Sequence, residues 1–148
     1  MTKPDPSRCR RGAAAAAIFD DQGRILLHQR TDNGRWALPG GTMETGETAD
    51  QCVIREVKEE TGFDVEVVRL IGVYSDPVHT TITYPDGNTI AYVSLLFECR
   101  VLGGEATLCD ESAAIDWFDP RDLPQPFHPG HIPRVADALS RQTAAFYR

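Results

Sequence analysis

The chain has 148 residues, of which 41% are hydrophobic and 25% charged, with a formal net charge of -7. That is the size of one domain around one core, and an ordinary composition for a soluble protein. The acidic balance excludes broad, sequence-independent binding to nucleic acid, which needs a basic face, but leaves small anionic substrates open, because a metal ion reverses the field locally.

Residues 1–12 read as a polar tail and residues 13–148 as the domain. The tail has no apolar stretch of the kind a secretory signal needs. The run from Ala13 to Ala17 is too short to cross a membrane. Its basic cluster (Arg8, Arg10 and Arg11) reads as solvated rather than as a phosphate contact. Cys9, Cys52, Cys99 and Cys109 make no C-x-x-C pair and stand at no zinc-ligand spacing from a histidine. They are expected to be reduced thiols of a cytoplasmic protein.

Residues 12–19 are apolar, Asp20, Asp21, Gln22 and Gly23 form a turn, and residues 24–30 follow, a pattern that predicts a β-hairpin. The alanines favour helix by intrinsic propensity. The short run, its Ile18-Phe19 end and the partner run directly after it favour strand. Residues 65–75 alternate and are rich in Val and Ile, the pattern of a strand. Residues 80–84 and 89–101 flank Pro85-Asp86-Gly87-Asn88, which predicts a second hairpin. Residues 115–118 read as a short strand, and residues 133–147 as a helix with Pro133 in its first turn. The whole is a mixed α and β domain with more strand than helix.

The sharpest element is the helix between Thr48 and Gly62. Thr48-Ala49-Asp50-Gln51 forms a capping box, and Gly62 suits a left-handed C-terminal cap. On this helix Glu56, Glu59 and Glu60 stand at i, i+3 and i+4, so they share about a quarter of its surface. Three like charges there repel one another. Ala49, Val53, Ile54 and Val57 occupy a neighbouring arc suited to burial, which puts the carboxylates at the edge of a core. Crowded hard oxygen donors in that position suit Mg²⁺ or Mn²⁺. Taken alone, the cluster favours the reading of a charged surface helix with Glu–Lys pairs.

The surrounding pattern decides between the two. Gly41, Glu47, Arg55, Glu56, Val57, Glu59, Glu60, Gly62 and Phe63 spell G-x5-E-x7-R-E-u-x-E-E-x-G-u, where u is bulky and apolar. This closely resembles the signature of the Nudix family, and Trp36-x-Leu38-Pro39-Gly40-Gly41 ahead of it resembles the entry to that box in MutT-like members. The resemblance implies an α/β (α+β) fold, the Nudix α/β/α sandwich around a mixed β-sheet in a single domain. It also implies metal-dependent hydrolysis of a nucleoside diphosphate linked to another moiety: ADP-ribose or another nucleoside-diphosphate sugar, or a nucleoside triphosphate, oxidised or not.

By the same resemblance Glu56, Glu59 and Glu60 ligate the metal, with the Gly40 carbonyl as a further ligand. Glu47 and Arg55 form a salt bridge that orients the carboxylates. Gly41 and Gly46 shape the loop before the helix. The base that takes a proton from water is a box glutamate, Glu59 or Glu60, or else Glu111 in the loop before the 115–118 strand. Ala114 stands where relatives often carry a second acid. Arg30 and Arg35 are candidates for phosphate contacts. Trp36 is a candidate for base stacking, although packing beside the loop is the preferred reading. His128 and His131 read as loop residues without a catalytic role, and Cys52 as a small packing residue. The expected partner is a small nucleotide, with no nucleic acid and no membrane. Dimerisation is common among relatives, but nothing in this chain specifies it. The competing readings are a Nudix module that senses a nucleotide without cutting it, and an isoprenoid-diphosphate isomerase. Retention of every box glutamate speaks against the first. The short chain and unmodified box speak against the second.

Overall fold

The computed structural model describes residues 10–148. Arg8, Cys9 and the rest of the predicted tail up to residue 9 lie outside the described residues. Strand β1 (Arg10–Ile18) begins ahead of Ala13. It is followed by β2 (Ile25–Arg30), β3 (Trp36–Ala37), β4 (Gly40–Thr42), α1 (Ala49–Thr61), β5 (Phe63–Tyr74), the single turn α2 (Pro77–Thr80), β6 (Thr81–Thr83), β7 (Thr89–Gly104), β8 (Ser112–Phe118), α3 (Ile132–Ser140) and β9 (Phe146–Tyr147). Among the described residues no helix is long and apolar enough to cross a membrane.

Two sheets carry the fold. The larger has the order β4-β1-β7-β5-β9, with β6 paired to β7; the smaller has the order β3-β2-β8. In the larger sheet β1 runs parallel to β7 and antiparallel to β4, so the sheet is mixed. The alanines of β1 are explained by their surroundings. Ala15 and Ala17 face a core beneath α3 with Ile71, Leu96, Val135 and Ala138, while Ala14, Ala16 and Ile18 face a second core beneath α1 with Val53, Val57 and Phe97. A strand covered on both faces reads as a continuous apolar run rather than an alternating one. Small side chains let a helix approach each face, and that tertiary demand overrides helix propensity.

Three predicted elements differ from the structure. The runs 12–19 and 24–30 are both strands joined by a tight turn, with Asp20 Oδ1 accepting from the Gln22 and Arg24 amides at 3.0 and 2.8 Å. They form no hairpin, because β4 and β7 occupy both edges of β1. Only one antiparallel bridge, Phe19 to Ile25, joins the two runs before β2 crosses to the smaller sheet. The C-terminal helix stops at Ser140, where Arg141 takes a left-handed conformation at φ 54. The chain then extends as β9 alongside β5, and Arg148 grips Asp137 through two contacts of 2.8 Å. Residues 77–80, which abut and include the start of the second predicted hairpin, form a helical turn capped by Asp76; the hairpin itself is β6 with β7.

Gly62 closes α1 at φ +83, and a Cβ there would run into the Glu105 carbonyl and the Thr107 side chain. Gly62→Ala therefore combines left-handed strain with a backbone clash. It is expected to cost about 1–3 kcal/mol of stability, read as a lowered urea midpoint at unchanged denaturant slope.

Candidate active site

Helix α1 is set by the two caps its sequence encodes. Thr48 accepts from the Gln51 amide while Gln51 returns a bond to the Thr48 amide, and the Gly62 amide donates to the Lys58 carbonyl. The buried stripe is Cys52, Val53, Val57, Glu60 and Thr61. Ile54, expected in the core, is 37% exposed, because it falls about 100° around the helix from Val53. Glu60, expected beside the stripe, belongs to it.

The three box carboxylates thus occupy three environments. Glu59 is exposed, Glu56 is largely covered, and Glu60 is 1% exposed. Arg55 organises the first two. Its Nε and Nη2 donate to the two Glu47 carboxylate oxygens at 2.6 and 3.0 Å, and its Nη1 reaches Glu56 at 2.9 Å and Glu59 at 3.2 Å. The guanidinium holds the Glu47 carboxyl down at about 2, well below the usual range. Gly41 lets this happen, since a Cβ there would overlap the Glu56 carboxylate. Cys52 packs below, its thiol directed to the Gly41 carbonyl at 3.6 Å and pushed up to about 11 by burial.

Glu60 has no such cation. Its Oε1 accepts from the Gly40 amide at 2.7 Å, and a Cβ on Gly40 would collide with the backbone of β1. Its Oε2 faces His28 Nε2 at 3.4 Å. His28 is also buried, and its Nδ1 lies 2.8 Å from Ser112 Oγ, which donates to the Glu60 carbonyl at 2.8 Å. Ser112 has one hydroxyl hydrogen. With it committed to the carbonyl, His28 must donate from Nδ1, leaving a bare Nε2 lone pair toward Glu60. That nitrogen has no hydrogen-bond partner. Burial lifts the Glu60 carboxyl to about 8 and lowers His28 to about 4, so the pair is neutral near pH 7, its proton on Glu60. Neither His28 nor Ser112 stood out in the sequence. The available signal was a histidine directly after the apolar run Ile25-Leu26-Leu27.

Glu56 and Glu60 open onto a cavity of about 780 Å³, also lined by Arg30, Glu111, Gly40, Tyr84, Tyr92, Ser94, His128, His131 and Arg134, a volume suited to a nucleotide-sized ligand. Arg30 is held on its wall by Asp32 through contacts of 3.0 and 2.8 Å. Arg35 and Trp36, both proposed as substrate contacts, do not line the cavity. Trp36 packs edge-on against Phe118 with ring centroids 4.8 Å apart, at the margin of the core, and Arg35 is exposed. Trp36 thus takes the packing position preferred for it in the sequence, although its neighbour Ala37 lines the cavity. Among the described residues no three acidic, His or Cys side chains converge on a single point as a closed metal cage; Arg55 occupies the space between Glu47, Glu56 and Glu59. The donor set nonetheless fits a hard divalent cation. It is all carboxylate and backbone oxygen, and its most buried member is a carboxylate whose ionisation a neighbouring cation would favour.

An acidic helix behind a glycine turn, on the edge of a mixed sheet with helices on both faces, presents a donor set suited to a hard cation beside a nucleotide-sized cavity. The NUDIX domain profile matches residues 9–138, and the chain belongs to the Nudix family. It is a MutT-like Nudix hydrolase, a pyrophosphohydrolase acting on nucleotide derivatives. It is 37% identical to a MutT-like protein of Streptomyces ambofaciens over 86% of this chain and 75% of that one. It is 40% identical to an ADP-ribose pyrophosphatase of Methanocaldococcus jannaschii over 76% of this chain and 64% of that one. The crystal structure of an ADP-ribose pyrophosphatase from Streptococcus suis superposes with a TM-score of 0.73 at 30% identity, covering 93% of this chain and 98% of that one.

The Glu60 carboxyl sits at about 8 against an ordinary 4.5, so the folded protein holds a proton that the unfolded chain has released. Stability of the metal-free protein therefore falls as pH rises across that interval and levels off above about 8. The depressed His28 acts in the opposite sense only below its ordinary 6.5. Between 6.5 and 8 the Glu60 slope stands alone within the pair. Urea titrations without divalent metal should show this fall. Glu60→Gln should flatten it, since its amide can donate to His28 Nε2. An equal slope in the variant would contradict the assignment.

Proposed function

We propose that the protein hydrolyses the phosphoanhydride bond of a nucleoside diphosphate linked to another moiety, with Mg²⁺ or Mn²⁺ held by Glu56, Glu59, Glu60 and the Gly40 carbonyl. The observation that supports this most is Glu60, a carboxyl group buried at the cavity with one amide donor and, among the described residues, no Lys or Arg within ion-pair distance. ADP-ribose is the first substrate proposed, because two of the similar proteins carry that activity in their names. A nucleoside triphosphate is the comparator. The unpaired described thiols Cys52, Cys99 and Cys109 fit a cytoplasmic protein.

A divalent cation bound there would neutralise the diphosphate oxygens and acidify the attacking water. The chain supplies the rest by positioning. Arg55 fixes the Glu56 and Glu59 carboxylates through Nη1, and the Gly40 amide fixes Glu60. Arg30, oriented by Asp32, faces the diphosphate. Water attacks one phosphorus in line; that P–O bond forms as the bond to the bridging oxygen breaks, and the electron pair leaves with the second phosphate. Glu111 is exposed and lines the cavity with Glu56 and Glu60, while Glu59 is tied to Arg55. Glu111 is accordingly the proposed acceptor of the water proton.

Assaying a panel of ADP-ribose, nucleoside-diphosphate sugars and nucleoside triphosphates with Mg²⁺ tests the reading. Turnover is expected, with Glu111→Gln lowering kcat by about 10²–10⁴-fold at unchanged nucleotide affinity. Tight nucleotide binding with no turnover of any compound would instead make this a sensing module. Wild-type kcat in Glu111→Gln would move the base to the box.

The panel also tests the box itself. Glu59→Gln with Glu60→Gln should abolish turnover while the far-ultraviolet circular dichroism stays native. Full activity in that double variant would remove the carboxylates from the mechanism.

A further inference from the structure

Away from the box, the cavity wall contributed by α3 carries a buried cation that the reaction as described does not use. Arg134 is 9% exposed and lines the cavity. Its Nη1 donates to Ser94 Oγ at 3.0 Å, its guanidinium carbon lies 4.8 Å from the Tyr74 ring centroid, and its Nε has no acceptor. Among the described residues no carboxylate pairs with it. The nearby Asp137 is engaged by Tyr74 and by both arms of Arg148. A buried guanidinium without a counter-ion is costly and marks a place where an anion is expected.

The neighbouring rings have the same polarity. Leu38 donates its amide to His131 Nδ1 at 3.1 Å, and Gly130 donates its amide to His128 Nδ1 at 3.1 Å. Both Nδ1 atoms therefore carry lone pairs, which fixes both rings as neutral tautomers with the hydrogen on Nε2. The rings stack with centroids 4.2 Å apart, and both line the cavity with Arg134. Burial and the positive charge of Arg134 lower both imidazoles, which keeps them neutral. This wall offers N–H donors from three side chains and no negative charge. Across the sheet Ala13 lies between Thr42 of β4 and Ser94 of β7, so the Ser94–Arg134 pair stands about 10 Å, two strand spacings, from the glycine turn of the box. That offset places it beyond a diphosphate held at the carboxylates.

We propose that Arg134, with His128 and His131, forms a subsite for an oxyanion, a phosphate or a carboxylate, carried by the part of the substrate beyond the scissile diphosphate. This deepens the proposed hydrolysis and rests on it for the substrate but not for the subsite. Bidentate oxygens complement a guanidinium, and a neutral sugar hydroxyl does not. The subsite therefore selects for a charged leaving moiety.

Two measurements test it. In metal-free protein, titration with inorganic phosphate should move the Arg134 Nε–H and His131 Nε2–H resonances in ¹⁵N-resolved spectra, with the box glutamates contributing nothing. Unmoved resonances at saturating phosphate would overturn the subsite, and this arm stands even if no compound is hydrolysed. With Mg²⁺, kcat/KM should favour UDP-glucuronate over UDP-glucose, or ADP-ribose 1″-phosphate over ADP-ribose, by about ten- to a hundred-fold. The first pair reads carboxylate and the second phosphate. Arg134→Gln should abolish that ratio while hydrolysis of the uncharged member persists. An unchanged ratio in the folded variant, or no ratio in the wild type for either pair, would overturn the proposal.

Discussion

The site depends on how three carboxylates of one helix, and Glu47 just ahead of it, are held with a single guanidinium. Arg55 binds Glu47 with two contacts and touches Glu56 and Glu59 with its remaining arm. Each of those contacts fixes a side chain that repulsion would otherwise splay. Glu60 is left out of the network and is buried instead, with the Gly40 amide as its one donor. A charge taken out of water without a partner holds its proton or finds a cation. In the metal-free protein the first state holds, with the proton of the Glu60–His28 pair on Glu60.

The scaffold makes that arrangement rigid. The alanine strand β1 has β4 on one edge and β7 on the other, so the glycine turn that shapes the box is stitched to the centre of the sheet. Gly40 presses on the β1 backbone and Gly41 on the Glu56 carboxylate; both positions lack room for any side chain. The smaller sheet then brings His28 and Ser112 behind Glu60. Residues from β2, β8 and β4 thus meet at one residue of α1, with Gly40 and His28 at its carboxyl group and Ser112 at its backbone carbonyl.

The cavity is polarised. Carboxylates gather at the α1 side, and an unpaired guanidinium with two neutral imidazoles gathers at the α3 side. Such a gradient orients an asymmetric polyanion, because the end that needs a cation and the end that meets one already present are different. His128 and His131 owe their neutral tautomers to backbone amides that donate to their Nδ1 atoms.

The box was legible in the sequence because its constraints are local. A capping box, a left-handed glycine cap and the i, i+3, i+4 spacing of Glu56, Glu59 and Glu60 all act within a few turns of chain, and the structure shows each cap as expected. Strand positions were legible for the same reason, through turn chemistry and apolar runs. Partnership was not. The Asp20–Gly23 turn looks the same whether its flanking strands pair together or part into two sheets, and only the occupied edges of β1 decide that. Likewise Trp36 and Arg35 adjoin the box in sequence yet do not line the cavity, while Ser94 and Arg134 reach its wall, and His28 and Ser112 the buried side of Glu60, from distant segments. Burial, tautomer and the absence of a counter-ion are properties of what surrounds a side chain in space. They were set when the sheets and helices packed, and no spacing along the chain encodes them.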